Sequence, residues 1–339
     1  MPYRLKFDES IRKGFRRIAR EQIDLAIAEL SAVDVPASAV HESRKAMKRS
    51  RALIRSFAPA LGNRAARKFN RALGDIAGQL SGRRDADVAL ETVVQLEAHC
   101  GAEAAIALRP LRALLQSRRD AAGVGPLNIQ TRDAITSELM ALRTRLADVK
   151  LKGRGIDPVM QGIQASYGHG RTALKTAYAA PSDLAFHELR KSAQTHWRQM
   201  ALLSRAWPEE FAARVAAARE LSQLLGDDHD IAVLKTMIAD LEESHRAAIL
   251  TLCETRQAEL RADTYFRAQR LFAERPRAFG KRITGLWTAG RRIKPMVAAV
   301  ADESHSIKLL TDVPAATDIG SPPRLAAKTL APSPSQRRA

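Results

Sequence analysis

From Asp8 onward, apolar residues recur three and four positions apart in one stretch after another, and runs of β-branched residues are scarce. That period predicts helices rather than strands. They are expected over about 8–31, 38–60, 64–80, 85–99, 102–119 and 128–149, then over 157–178, 182–206, 208–225, 228–261 and 277–301. Asp8 and Asp157 stand where helix N-caps belong, and Pro158 stands at a first-turn position. Between the two sets lies KLKGRG, residues 150–155, a basic glycine-containing hinge. From Asp302 on, the chain turns to Ser, Pro, Ala and Arg without periodicity, as disordered tails do. The pattern therefore predicts an all-α protein in two helical halves, 1–150 and 151–302, followed by a tail at 303–339.

The second predicted helix carries an unusual polar face. In VHESRKAMKRSRALIRSF, Val40 to Phe57, steps of about 100° per residue place His41, Arg44, Lys48, Arg51 and Arg55 within an arc of about 80°. Ala46, Met47, Leu53, Ile54 and Phe57 fall opposite. One side is a packing face and the other a cationic ridge. Glu42 is its only carboxylate, so the usual i,i+4 neutralisation of a solvated face is missing.

The ridge occurs twice. HESRKAMKRSR from His41 aligns with HELRKSAQTHW from His187, sharing His, Glu, Arg and Lys at the first, second, fourth and fifth positions. Downstream, RDADVAL from Arg84 meets HDIAVLK from His229, each preceded by a Leu- and Gly-containing boundary. Matched features in one order indicate a duplicated helical unit. On the second wheel, Arg190, Lys191, Gln194 and Arg198 gather around His187, with Leu189, Ala193, Met200 and Leu203 opposite. His196 points into the packing face, and Trp197 at the ridge margin is read as packing.

Composition sharpens this picture. The chain has 339 residues, 55 Lys and Arg against 37 Asp and Glu, a net charge of +18 and only 5% aromatics. Such a charge exceeds what solubility needs, so a polyanionic partner is expected: nucleic acid, an anionic membrane surface or an inorganic polyanion. Cys100 and Cys253 lie far apart without metal-type spacing and read as reduced thiols. The start MPYRLKFDES has no apolar leader, and no apolar run approaches the ~18 residues of a membrane span. A soluble, cytoplasmic protein is expected.

HESRKAMKRSR and HELRKSAQTHWRQMALL, with LSGRRDADV and LGDDHDIAVL each about forty residues later, resemble the CHAD domain, the conserved histidine α-helical domain. The resemblance covers about residues 5–300. It implies two helical bundles related by pseudo-twofold symmetry, whose His-bearing helices line a central basic cavity that binds inorganic polyphosphate without catalysis. Such domains often follow a triphosphate-tunnel (CYTH) domain, whose ExExK strand is not found here, so a stand-alone domain is expected. Carried onto this sequence, the polyphosphate ligands are His41, Arg44, Lys45, Lys48 and Arg51, then His187, Arg190 and Lys191. Arg84 and His229 hold the equivalent site before the Asp of the other motif. Gln194 stands where a lysine is usual and Arg198 where a tyrosine is common, which makes the second half the weaker surface, with Arg198 in a position to compensate.

Arg55 extends the first ridge. Arg16 and Arg20, in a basic stripe on the first helix, and Arg171 in the matching helix of the second half are further candidates. For His229 with Asp227, Asp228 and Asp230, capping at a helix start explains the acids better than a metal ion does. There is no glycine-rich loop followed by Lys-Ser/Thr, no GxSxG and no His/Cys metal spacing, so neither an enzyme nor a cofactor or metal is expected. The reading is polyphosphate binding with association to polyphosphate granules. The alternatives are a basic RNA- or DNA-binding helical protein and a granule-associated, phasin-like interaction protein.

Overall fold

The computed structural model describes residues 3–32, 35–80, 84–122 and 127–303, the side chains of 84–86, 121–122, 240 and 294–303 excepted. Among the described residues the fold is all-α. The helices are α1 Ile11–Glu29, α2 Ala37–Ser56, α3 Ala58–Leu61, α4 Asn63–Gln79, α5 Arg84–Cys100, α6 Ala102–Ala122 and α7 Ile129–Ala147. After the linker come α8 Asp157–Ala179, α9 Asp183–Leu202, α10 Pro208–Met237, α11 Glu243–Leu271 and α12 Pro276–Glu303. Short 3-10 turns, Ser204–Ala206 and Ile238–Asp240, flank α10. Chain contacts group Tyr3–Lys294 into one unit and Pro295–Ala339 into another. Of the second unit, the described part is the helical stretch 295–303, and most of the expected tail lies outside the described residues.

Most predicted helices appear within a few residues of their expected ends. Their caps differ in detail: Ser10, not Asp8, caps α1, its hydroxyl accepting the Lys13 N–H at 3.2 Å. Asp157 is the first residue inside α8 rather than its cap, while Pro158 occupies the first turn as expected. The larger correction concerns α10. A break was expected after Leu225, with Asp228 capping a new helix. Instead α10 runs for 30 residues through Gly226 and Asp228 and ends only at Met237. Leu221, Leu225, Asp228, Ile231 and Leu234 are all buried along one of its faces. Burying that stripe outweighs the ~1 kcal/mol propensity cost of a mid-helix glycine.

The interior falls into two hydrophobic clusters. The larger draws on α1, α2, α4, α7, α8, α9, the first half of α10 and the end of α11, and so crosses the 150–155 linker. The smaller joins α5 and α6 to the second half of α10 and the first half of α11. Both long helices thus pass from one cluster to the other, with Asp228 and His229 lying between the α10 residues assigned to each.

Two glycines set helix spacing around α2 and α8. A Cβ on Gly162 of α8 would overlap the Ser56 carbonyl of α2, and one on Gly170 would overlap the Phe272 ring. Gly170 lies within α8 and so permits the close approach of Phe272. Among the described residues no helix is long and apolar enough to cross a membrane.

Candidate functional site

The two ridge-bearing helices pack against each other. Arg55 Nη1 of α2 donates to Thr195 Oγ1 of α9 at 2.6 Å. Glu188 near the start of α9 acts on Arg55, whereas Arg49 acts on Arg198 further along, so the helices run in opposite directions. From His41 to Ser56 no residue of α2 is exposed. His41, Arg44, Lys45, Lys48, Arg51 and Arg55 are all half-buried, as are His187, Arg190 and Lys191 on α9. The charged faces predicted by the wheels are therefore partly sheltered by neighbouring helices. Burial lowers the affinity of the Arg51 and Arg55 guanidiniums for their protons, and Arg51 itself adds to the effect on Arg55.

The ridges are less bare of carboxylates than their i,i+4 spacing suggested. Lys45 pairs with Glu42 at 2.9 Å, and Lys191 pairs with Glu188 at 2.5 Å, both across i,i+3. In each helix the glutamate following the histidine meets the lysine of the same motif. Arg51 of α2 lies over Gly74 of α4, its Cζ 3.6 Å from where a Cβ would stand. Arg190 of α9 lies over Gly226 of α10, with Nη2 at 3.5 Å from the same point. A side chain at either glycine would crowd a ridge arginine.

His187 and His229 come together. Their Nδ1 atoms are 3.2 Å apart and their ring centroids 4.3 Å apart. Burial and the neighbouring Arg190 bring His229 down to about 4. Burial, Lys191 and Arg190 lower His187 as well. Both imidazoles are thus neutral at pH 7, and one Nδ1–H donates to the other ring.

The network behind this pair has no counterpart in the sequence reading. Asp228, one residue before His229, is 1% exposed. It accepts from Arg261 Nε of α11 at 2.6 Å, and Arg261 Nη2 reaches Asp183 of α9 at 2.5 Å. Gln257 donates to Asp183 and to the Asp228 carbonyl at 3.2 and 3.1 Å. Lys235 contacts Gln257 at 3.0 Å and Asp183 at 3.4 Å. Burial raises Asp228 despite Arg261. At Asp183 burial is overcome by Arg261 and Lys235, which hold the carboxyl below its usual range. Asp228 is therefore not a helix cap; it ties α9, α10 and α11 together beneath the histidines. The buried face of α10 carried the signal, since Asp228 falls on it between Leu225 and Ile231.

Other candidates lie elsewhere. The Arg171 guanidinium donates to the carbonyls of Phe272, Ala273 (2.9 Å) and Glu274 (2.7 Å), closing the end of α11. Arg16 and Arg20 are on the exposed side of α1, Arg16 reaching the Val149 carbonyl at 3.4 Å. The Arg84 side chain lies outside the described residues. Arg198 is interior, 6% exposed. His196 is buried as expected and accepts from Arg214 Nε at 3.0 Å. Cys100 and Cys253 are free thiols. Among the described residues no group of three or more His, Cys, Asp or Glu side chains is placed to hold a metal ion. A cavity of about 340 Å³ opens by the linker, lined by Arg12, Phe57, Lys152 and Arg154 among others, and includes none of the ridge cations.

Fold and site together define an all-helical bundle protein in which two basic helices pack against each other with their charged faces half-buried. The CHAD domain family model matches residues 17–239, about two thirds of the chain. The chain belongs to the CHAD domain family. The match is shorter than the 5–300 that the motifs suggested, beginning inside α1 and ending in the turn after α10. Among solved structures it is similar to PptA from Streptomyces chartreusis, with a TM-score of 0.52 and 16% identity over 78% of this chain and 100% of that one. At that identity the likeness is one of fold. No curated protein matches the sequence.

Proposed function

We propose that this protein binds inorganic polyphosphate, without catalysing its turnover, through His41, Arg44, Lys45, Lys48, Arg51 and Arg55 of α2 and His187, Arg190, Lys191 and His229 of α9 and α10. The observation that carries the reading is the sheltering of α2. It holds six Lys and Arg and one Glu between His41 and Ser56, yet exposes none of them fully. A half-covered cationic strip suits a thin, flexible chain of phosphates better than a bulky duplex. Family membership supports the same ligand.

The driving force is counterion release as several cations replace the ion atmosphere of the polyanion. About eight contacts of about 1 kcal/mol each give near −8 kcal/mol, or roughly micromolar affinity. Binding of this kind would also gather the protein onto polyphosphate granules.

RNA or DNA binding is the alternative, and one observation weighs against it. Nucleic-acid readers that accept single strands stack bases on aromatic rings. The aromatic beside the ridges is Trp197, and its ring already carries the guanidiniums of Arg198 at 4.1 Å and Arg219 at 4.6 Å.

The test is a competition between long-chain polyphosphate and single-stranded RNA of matched charge at about 150 mM salt, where exposed electrostatics are partly screened. Polyphosphate is expected to win, and preference for RNA overturns the reading. Arg44→Glu combined with Arg190→Glu is expected to abolish binding while leaving helicity intact; retained binding moves the site elsewhere.

A further inference from the structure

A second group of cations lies away from the ridges. Arg12 Nη2 of α1 donates to the Gly153 carbonyl at 3.0 Å, and Arg16 Nη2, one turn further on, donates to the Val149 carbonyl at 3.4 Å. The linker from 149 to 153 therefore runs alongside α1 in the opposite direction. Burial alternates along it: Leu151 is buried and Val149 half-buried, whereas Lys150, Lys152 and Arg154 are exposed. On α1, Arg12, Lys13, Arg16 and Arg20 are exposed and share an arc of about 100°. Two rows of cations thus flank one strip, about 12 Å long from Arg12 to Arg20 at about 1.5 Å per residue.

At its Arg12 end the strip meets the cavity of about 340 Å³ beside the linker. The buried side chains of Phe57, Leu151 and Val159 line it, and the exposed Arg12, Lys152 and Arg154 stand at its rim. No carboxylate lines it; Asp148 and Asp157, which flank the linker, are exposed and outside the lining. Among the described residues none of the seven cations is ion-paired, whereas Arg17 on the same helix has Glu9 and Glu21. The volume falls at the lower end of the range for ligand pockets, about 300–1,000 Å³. An apolar anchor in a pocket within a charged rim is how protein partners are held. A phosphate chain has nothing to place against Phe57 and Val159, and a flat membrane surface does not reach them. An acidic peptide carries both parts.

We propose that the strip between α1 and the linker docks an acidic peptide segment of a partner protein. One apolar side chain of the peptide enters the cavity over Phe57, Leu151 and Val159, and its carboxylates meet Arg12, Arg16, Lys152 and Arg154. A strip of about 12 Å takes about four extended residues at about 3.3 Å each. The proposal does not rest on the polyphosphate reading, because no ridge cation takes part in it.

The experiment is titration calorimetry of the full chain with end-capped peptides of the patterns XEDED and DEDEX, X being phenylalanine, leucine or serine. It is run at about 50 mM salt, where surface charges are only partly screened. The phenylalanine or leucine peptides are expected to bind about tenfold more tightly than the serine ones. Lys152→Glu/Arg154→Glu is expected to weaken them about tenfold while retaining long-chain polyphosphate as the wild type does. Arg44→Glu/Arg190→Glu is expected to bind the peptides unchanged. The comparison of phenylalanine with serine uses the wild type alone, so it decides even where a variant does not fold. No binding of any apolar-ended peptide, or equal binding of the phenylalanine and serine peptides, overturns the proposal. So does a peptide affinity lost with the ridge arginines and kept without Lys152 and Arg154. A polyphosphate affinity that falls together with the peptide affinity in Lys152→Glu/Arg154→Glu gives the strip to polyphosphate and overturns the proposal as well. A chain that binds the peptides through the linker cations but retains no polyphosphate upholds the docking strip and overturns the ridge reading alone.

Discussion

His187 of α9 and His229 of α10 face each other through Nδ1 atoms 3.2 Å apart, and between them they can carry at most one extra proton at low cost. The neighbouring Arg190 makes even that proton unwelcome. An unfolded histidine titrates near 6.5, whereas folded His229 sits at about 4.

Acid should therefore destabilise the fold through this pair. Between pH 6.5 and 4 the unfolded chain binds a proton that folded His229 refuses, so stability falls as pH drops through that window. Because the ring is only half-buried, its share is discounted to about 1–2 kcal/mol. Urea unfolding at pH 7 and near pH 4.5 is expected to show a larger loss for wild type than for His229→Gln. Equal losses would locate the acid sensitivity in other groups.

Anion binding should be linked to proton uptake. A phosphate placed on the pair favours the imidazolium and raises its pKa from the depressed values of the free protein, so affinity grows as pH falls toward them. Calorimetry near pH 6 in buffers of different ionisation enthalpy is expected to report net proton uptake on polyphosphate binding. Uptake should vanish in His187→Gln/His229→Gln. An unchanged uptake would mean that the histidines stand outside the ligand's reach.

Removing the carboxylate beneath the pair should be costly. Asp228→Ala leaves Arg261 with Asp183 alone at 2.5 Å, and breaking a buried pair costs about 3–5 kcal/mol. Retention of Asp183 puts the expected loss toward the lower end, read as a fall in the urea midpoint at unchanged slope. A loss below about 1 kcal/mol would mean that the three helices do not depend on this network.

The glutamates of the two motifs should compete with the ligand. Glu42 holds Lys45 and Glu188 holds Lys191. Each exposed pair is worth about 0.5 kcal/mol, so Glu42→Gln/Glu188→Gln is expected to tighten polyphosphate binding about fivefold at low salt. The gain should shrink at high salt as screening grows. A weaker complex would show that the glutamates position the lysines for the ligand.

Most helix positions were legible along the chain because a packed helix buries one stripe at a 3.6-residue period, although the short α3 was not foreseen. The other failures have one cause. Gly226 and Asp228 look like a helix stop and a new start locally, yet α10 continues because Leu225, Asp228, Ile231 and Leu234 are buried together. The same local signal assigned Asp228 to a cap, where the fold gives it to Arg261. That Arg171 lies in the second-half helix matching α1 can be read along the chain, but which carbonyls lie opposite it depends on how α11 ends.

The two ridges themselves needed only the sequence, since residues at fixed spacing on a helix share a face whatever surrounds it. That rule orders His41, Arg44, Lys48, Arg51 and Arg55, and equally His187, Arg190 and Lys191. It says nothing about neighbours. Only the packing of α2 on α9 and α9 on α10 decided that the ridges are half-covered, that His187 meets His229, and that Arg198 lies inside. Periodicity is a property of one helix, while burial and charge pairing belong to the contacts between helices distant in the chain.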